Sequence, residues 1–376
     1  MMRVLSVLGT RPEAIKLAPV VRELARRPEI QSRVCVTGQH REMLVPVLDL
    51  FKMEPDVDLQ VMRPGQTPTQ VAAAVLAGIE PVLADERLDW VLVQGDTTTV
   101  AAAAWAAYYA RIRVGHVEAG LRTGDKWQPF PEEVNRRMAS VVADLHLAPT
   151  EQARLNLVRE GIAPEAIVVT GNPVIDAMRW AAELPCDLPQ GPLAGLDWSK
   201  RIVVVTAHRR ENHGEPLRQI CLALRDIAQH HPDVAVVYPV HPNPNVLGPV
   251  EALLGGVAGV HLLAPLDYLA FVHLLKRSYL VLTDSGGIQE EAPGLGKPVL
   301  VLRNVTERPE ALAAGTARLV GTERPRVVRE VTRLLEDEGA YLTMARAANP
   351  YGDGHAAERI VDALLAYRDP DAVSKV

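Results

Sequence analysis

Leu282-Thr283-Asp284-Ser285-Gly286-Gly287-Ile288-Gln289-Glu290-Glu291-Ala292-Pro293 is the stretch on which the fold turns. The apolar run from Tyr279 to Thr283 reads as a strand buried in a parallel sheet; Asp-Ser-Gly-Gly breaks it, and helix-compatible residues follow. Beyond lie Gly296-Lys297-Pro298 and a further apolar run, Val299 to Leu302. Two adjacent glycines let a backbone approach a ligand closely, and the unpaired N–H groups of a helix start, here with Ser285, favour a phosphate. Glu291, one turn into that helix, is placed to accept from a ribose hydroxyl. A plain helix with a Ser N-cap and a glycine turn accounts for the same residues.

The pattern repeats in both directions. Upstream, Val4 to Leu8, Val34 to Thr37, Trp90 to Gln94 and Arg113 to Val117 read as strands, each followed by polar or glycine residues. Helical periods follow them: Ala14, Leu17, Val20, Val21 and Leu24; Glu42 to Phe51; Thr69 to Leu83; an alanine-rich run from Thr98 to Ala110. Helices over Glu132 to Ala143 and Glu151 to Glu160 and a short strand at Ile167 to Val169 complete a first half. Strands at Ile202 to Thr206, Val234 to Val240, Val260 to Leu263, Leu280 to Thr283 and Val299 to Leu302 form a second. This alternation predicts an α/β protein with two Rossmann-like, doubly wound parallel sheets facing a central cleft, with ligands at the strands' carboxyl ends. The first domain is expected over 1–170 plus a terminal helix over 355–376, the second over 171–354. Leu184 to Lys200, rich in Pro and Gly, is the candidate linker.

Composition excludes several classes of function. The 376 residues suffice for about two domains. Lys plus Arg is 40 against 46 for Asp plus Glu, a net charge of −6, which argues against a nucleic-acid partner. No apolar run reaches the ~20 residues a membrane span needs, and Met1-Met2-Arg3 leads into a strand rather than a signal sequence, so a cytoplasmic location is expected. Cys35, Cys186 and Cys221 are scattered and show no metal-ligand spacing. No metal site and no dinucleotide fingerprint is expected.

The strand ends hold the candidate chemistry. Arg11 and Lys16 offer two cations to a phosphate, or one of them serves a structural ion pair. Asp96 and Glu118 close two neighbouring strands; the alternative is that each caps a helix. Glu132 and Glu133 begin a helix after Pro131, where they complement its dipole in any case. His208, flanked by Arg209 and Arg210, sits in an electropositive setting that favours the neutral ring, and His241 lies on another loop. Arg308 follows the last main strand.

Taken in order, Gly9-Thr10-Arg11-Pro12-Glu13-Ala14-Ile15-Lys16, Gln94-Gly95-Asp96-Thr97, His116-Val117-Glu118-Ala119-Gly120-Leu121-Arg122, Phe130-Pro131-Glu132-Glu133, His208-Arg209-Arg210-Glu211-Asn212, Asp284 through Glu291 and Thr306-Glu307-Arg308-Pro309-Glu310 resemble the non-hydrolysing UDP-N-acetylglucosamine 2-epimerases. The resemblance runs over essentially the whole chain. It implies a glycosyltransferase-B-like pair of domains, a homodimer, no cofactor, and interconversion of UDP-N-acetylglucosamine with UDP-N-acetylmannosamine for cell-surface polysaccharide. By the same resemblance Ser285, Gly286, Gly287, Arg11 and Arg308 hold the diphosphate, Glu291 the ribose and the backbone around Phe271 the uracil. Asp96, Glu118, Glu132 and His208 match catalytic positions. A second, activating UDP-N-acetylglucosamine would meet Gln39, Gln66, Arg209 and His241. A hydrolysing 2-epimerase and a UDP-sugar glycosyltransferase are the alternative readings of such a chain.

The C2 hydrogen of this sugar is not next to a carbonyl, so a side-chain base cannot remove it directly at a useful rate. Departure of UDP from C1 makes it labile, through 2-acetamidoglucal. An intermediate that must not meet water calls for closure over the substrate, with hinges expected near residue 170 and near the C-terminal helix.

Overall fold

The computed structural model describes residues 1–38, 41–63, 65–85, 87–188 and 191–367. The chain divides into two compact units, Met1–Ala177 with the chain from Tyr351 onward, and Met178–Pro350. In the first unit seven strands, β1 (Met2–Leu8), β2 (Ile30–Val36), β3 (Val57–Asp58), β4 (Trp90–Gln94), β5 (Arg113–Val117), β6 (Leu145–Ala148) and β7 (Ile167–Val169), form one parallel sheet. Their order is β3-β2-β1-β4-β5-β6-β7, so the winding reverses between β1 and β4. Such a reversal leaves a crevice at the strands' carboxyl ends, because the two following loops diverge to opposite faces. Gly9-Thr10-Arg11 and Gly95-Asp96 are those two loops.

Residue choice explains the layers. β4 is buried along its whole length, as a central parallel strand covered on both faces must be. The helix Arg11–Arg26 starts with a capping box in which the Thr10 side chain and Glu13 satisfy each other's backbone N–H groups, and Pro12 sits in its first turn. The helix Thr98–Tyr109 buries Ala101, Ala102, Ala103, Ala104, Ala106 and Ala107; small side chains let it pack between the helices Pro68–Asp85 and Glu132–Val142.

The second unit repeats the plan with six parallel strands, β8 (Arg201–Thr206), β9 (Val234–Pro239), β10 (Val260–Leu263), β11 (Ser278–Thr283), β12 (Val299–Val301) and β13 (Ala317–Leu319), in the order β10-β9-β8-β11-β12-β13. Here the winding reverses between β8 and β11, and β11 feeds the stretch Asp284 to Pro293. That stretch forms the helix Gly286–Gly294. The helix Glu215–His230 covers one face with Leu217, Ile220, Cys221, Leu224, Ile227 and Ala228, a helical stripe that joins Val203, Val205, Val236 and Leu282 in one apolar cluster.

Three expectations change. The crossing between units falls at Ala177/Met178 and Pro350/Tyr351 rather than near 170 and 354. The Asp176 carboxylate accepts the N–H groups of Ala356 (3.2 Å) and Ala357 (2.9 Å), which binds the start of the helix Pro173–Glu183 to the terminal helix Ala356–Ala366 inside the first unit. The segment from Leu184 to Lys200 is not a linker: it lies wholly within the second unit, where Leu188, Leu193 and Leu196 are buried. The strands β3, β6 and β13 were not expected. No helix among the described residues is long and apolar enough to cross a membrane.

Candidate active site

In the first unit, Glu118 is the centre of a polar cluster at the sheet's carboxyl edge. It follows β5 with φ of 62°, a left-handed conformation that costs a non-glycine residue energy and is kept only when its surroundings demand it. Three donors make the demand. Lys16 Nζ donates to Oε1 at 2.6 Å, Asn172 Nδ2 donates to the same oxygen at 2.8 Å, and Gln94 Nε2 donates to Oε2. Gly95, itself at φ of 83°, leaves room for the carboxylate: a Cβ there would stand 3.4 Å from Oε2. The result is a buried carboxylate fixed from a helix, a strand end and a loop, suited to face positive charge that develops on a substrate. Lys16, expected as a phosphate ligand, is paired with Glu118 here.

Asp96 stands beside this cluster in sequence but is held differently. The helix Thr98–Tyr109 is capped by Thr97, whose hydroxyl accepts from Val100 N at 3.3 Å, so Asp96 is not the cap. Its carboxylate pairs with Arg136 Nη2, and its carbonyl accepts from Asn135 Nδ2 at 3.0 Å. Both partners belong to the helix Glu132–Val142. Glu133 is fully buried there and accepts from Thr123 N (3.1 Å), Gly124 N (3.2 Å) and Arg136 Nη1 (3.4 Å). Glu132, its neighbour, is half-buried and makes no hydrogen bond or ion pair with a described residue. Arg11 is likewise half-buried, and its guanidinium has no partner among the described residues.

In the second unit the stretch from Asp284 departs from the plain-cap reading. Ser285 occupies the N-cap position, yet its hydroxyl makes no capping bond. Gln289 ties the turn down instead, donating to Ser285 O at 3.1 Å while its own Oε1 accepts from Thr306 Oγ1 at 2.6 Å. Arg308 is fixed by Glu290, and a Cβ on Gly286 would stand 3.7 Å from its guanidinium carbon. A Cβ on Gly287 would stand 3.6 Å from Glu291 Oε1 and 4.0 Å from Ser285 Oγ. Arg308, Ser285 and Glu291 thus flank the two glycines, a hydroxyl, a cation and a carboxylate around bare backbone N–H groups. Phe271 lies in the helix Tyr268–Arg277, with its own N–H donated to Asp267 O at 3.0 Å.

The same edge carries His208. Its imidazole is held below the usual histidine range by burial first, and the Asp284 charge works in the opposite sense. Sequence reasoning reached the neutral ring through the neighbouring arginines, of which Arg209 acts in the same direction but less than burial does. The ring stacks on exposed His241 with centroids 5.3 Å apart and planes 18° apart. Of the residues expected around a second ligand, Arg209 and His241 belong to this unit. Gln66 belongs to the first, where its amide is engaged within its own loop by Arg63 N (2.6 Å) and Val61 O (3.2 Å). Gln39 lies outside the described residues.

Sequence reasoning missed Asn172, Gln94 and Arg136 as partners of the carboxylates, and gave Asp284 no role. Their one visible signal is position: each of Gln94, Asn172 and Asp284 is polar and stands at or just past a strand's carboxyl end. Two further buried groups lie beneath the site. His116 and His146 are register partners on β5 and β6. His116 Nε2 donates to Gly95 O at 2.8 Å, and burial brings its pKa down to about 4; burial likewise brings His146 down to about 3.

These features define an α/β protein of two Rossmann-like doubly wound units, with anchored carboxylates on one and an anion-receptive helix start on the other. The family model for UDP-N-acetylglucosamine 2-epimerase matches residues 22–365. The chain is 55% identical over 369 residues to the UDP-N-acetylglucosamine 2-epimerase of Escherichia coli K12, covering 96% of this chain and 98% of that one. Its fold matches the crystal structure of UDP-GlcNAc 2-epimerase from Neisseria meningitidis bound to UDP-GlcNAc, with TM-score 0.88, 48% identity, and coverage of 97% and 100% of the two chains. It also matches the Methanocaldococcus jannaschii enzyme in complex with UDP-GlcNAc and UDP, with TM-score 0.79, 33% identity, and coverage of 97% and 100%. The chain belongs to the UDP-N-acetylglucosamine 2-epimerase family.

The buried histidines give a pH dependence of known sign. Their folded pKa values lie below the unfolded value of 6.5, so the unfolded chain takes up protons first as pH falls. Stability is full above pH 6.5 and declines toward pH 4, by roughly 3 kcal/mol for His116 at about 1.4 kcal/mol per pH unit. Denaturant unfolding followed from pH 7.5 to 4.5 checks this. The decline becomes shallower in His146→Leu, and a flat profile in the parent would contradict the burial of both rings.

Proposed function

We propose that the protein interconverts UDP-N-acetylglucosamine and UDP-N-acetylmannosamine without hydrolysing either, by elimination and re-addition of UDP. The observation that carries this reading is the helix start at Ser285, where a hydroxyl released from capping, two glycines, Arg308 and Glu291 make a receptor for the diphosphate and ribose. The C1–O bond breaks with its electron pair leaving on the diphosphate. A carboxylate takes the C2 proton, and C1=C2 of 2-acetamidoglucal forms. Ser285, Arg11 and Arg308 stabilise the departing charge, each good donor contributing ~3 kcal/mol. UDP then adds back to C1 as a proton reaches the opposite face of C2. Asp96, Glu118 and Glu132 are the carboxylates for this work: Glu118, saturated by three donors, opposes the positive charge at C1, and Asp96 and Glu132 carry the proton transfers. The route needs no dinucleotide and no metal, because the leaving group itself makes C2 acidic.

The reading extends to assembly and regulation. The archaeal relative's complex with UDP-GlcNAc and UDP supports a second nucleotide subsite, for which Gln66, Arg209 and His241 remain the candidates, with UDP-N-acetylglucosamine as activator. A homodimer is supported by the apolar face on the helix Thr98–Tyr109, where Trp105, Tyr108 and Tyr109 are exposed. Sedimentation equilibrium reads the dimer; a rate that saturates hyperbolically in UDP-N-acetylglucosamine would remove the activator.

Incubation with UDP-N-acetylglucosamine alone in deuterated water, followed by NMR, tests the reaction. Deuterium at C2 in a mixture of both UDP-sugars is expected. Free sugar would mean hydrolysis, and an unchanged substrate would mean a transferase or a binding protein. Asp96→Asn is expected to lower the rate on the order of a hundredfold or more; full activity would take Asp96 off the catalytic list. Ser285→Ala separates binding from folding. Because the hydroxyl caps nothing, the melting temperature stays put, while UDP affinity falls on the order of tenfold by calorimetry. A loss of stability with unchanged affinity would restore the plain-cap reading.

A further inference from the structure

Asp284 is completely buried, and its two oxygens are used unequally. Oδ2 accepts three donors: the backbone N–H groups of His208 and Arg209, both at 2.8 Å, and Asn212 Nδ2 at 2.9 Å. Oδ1 has no hydrogen-bond partner at all among the described residues, and leaving a buried acceptor unmatched is costly. His208 Nδ1 stands 3.7 Å from it. The backbone bonds to Oδ2 fix where His208 starts, so the ring edge that meets Oδ1 is the Nδ1 edge. The ring's face is held separately, by the stack on His241. At 3.7 Å the pair is adjacent but not hydrogen-bonded, and a bond from Nδ1–H to Oδ1 requires that gap to close.

We propose that Asp284 is a positioning residue for His208, holding the neutral imidazole in its Nδ1–H tautomer so that Nε2 is presented, unprotonated, as the acceptor that meets the nucleotide-sugar. A carboxylate can only accept from a neutral imidazole, so Nδ1 must carry the hydrogen and Nε2 must not. This rests on the epimerase reading for what His208 serves, but not for the tautomer itself. The groups that face the ring are Asp284 after β11, His241 after β9, and Arg209 and His213 on its own loop. Only Asp284 favours the protonated ring. Its removal lowers the pKa of His208 and moves the acid limb of activity to lower pH.

Asp284→Asn tests the assignment with little change of shape, since the amide oxygen still accepts the three donors while the NH2 turns toward Nδ1. That reversal forces Nε2–H. Nitrogen-15 NMR of the ligand-free protein at pH 8, with the His208 signal identified by its loss in His208→Gln, is expected to show Nδ1–H in the parent and Nε2–H in Asp284→Asn. The variant's kcat is expected to fall on the order of a hundredfold with KM for UDP-N-acetylglucosamine within about twofold. Nε2–H in the parent, or unchanged kcat in the variant, overturns the proposal. Should Asp284→Asn not fold, the parent spectrum still decides. Failure of the reaction reading shows separately, as absent C2 deuterium in the parent.

Discussion

A carboxylate taken out of water must be met by donors from the protein, because its desolvation exceeds what any one hydrogen bond returns. Glu118 in the first unit and Asp284 in the second are two such groups. Glu118 draws Lys16, Gln94 and Asn172 together; Asp284 draws the backbone of His208 and Arg209 and the side chain of Asn212. The donors to Glu118 come from the helix after β1, the end of β4 and the segment after β7, whereas those to Asp284 all come from the loop after β8 and tie it to the end of β11. The carboxylate therefore does what packing cannot do at a sheet's open edge, which is to fix several loops relative to one another in one step.

That fixing is directional. Apolar contacts tolerate sliding, but three donors converging on one carboxylate do not, so the loops' side chains keep their bearings to within a hydrogen bond's tolerance. The strain at Glu118 fits this account: a left-handed backbone persists where three donors and the glycine at position 95 over-determine it. A second layer supports the first. His116, neutral through the physiological range, donates to the carbonyl of Gly95 and so holds the turn from which Asp96 projects.

Much of this was legible in the sequence, and the remainder was hidden for physical reasons. The long apolar strands and periodic helices announced two doubly wound sheets, since burial on both faces leaves an unmistakable run of Val, Ile and Leu at β4 and β8. The edge strand β3 could not be seen, because two residues carry no period. At the site, spacing and family resemblance named Asp96, Glu118, Glu132 and His208, but partners were invisible. Lys16 stands 102 positions from Glu118 and Asn172 stands 54 from it, and pairing over such distances is written in topology rather than in local pattern. The linker was misread because prolines and glycines mark irregular backbone, whether it floats free or, as with Leu188, Leu193 and Leu196, packs into a core.

Each unit carries a distinct set of anchored charges at its sheet's carboxyl edge. In the proposed elimination, cleavage between C1 and the diphosphate would leave positive charge on the sugar and one more negative charge on the leaving group. The first unit offers carboxylates whose cations, Lys16 on Glu118 and Arg136 on Asp96, hold them in place. The second offers a helix start with no side-chain cap and with Arg308 beside its first glycine. Neither arrangement has to reorganise when charge separates, because the donors are already anchored by contacts that do not involve the ligand: Arg308 by Glu290, the Ser285 turn by Gln289, and Glu118 by its three donors. Preorganisation of this kind lowers the barrier in both directions equally.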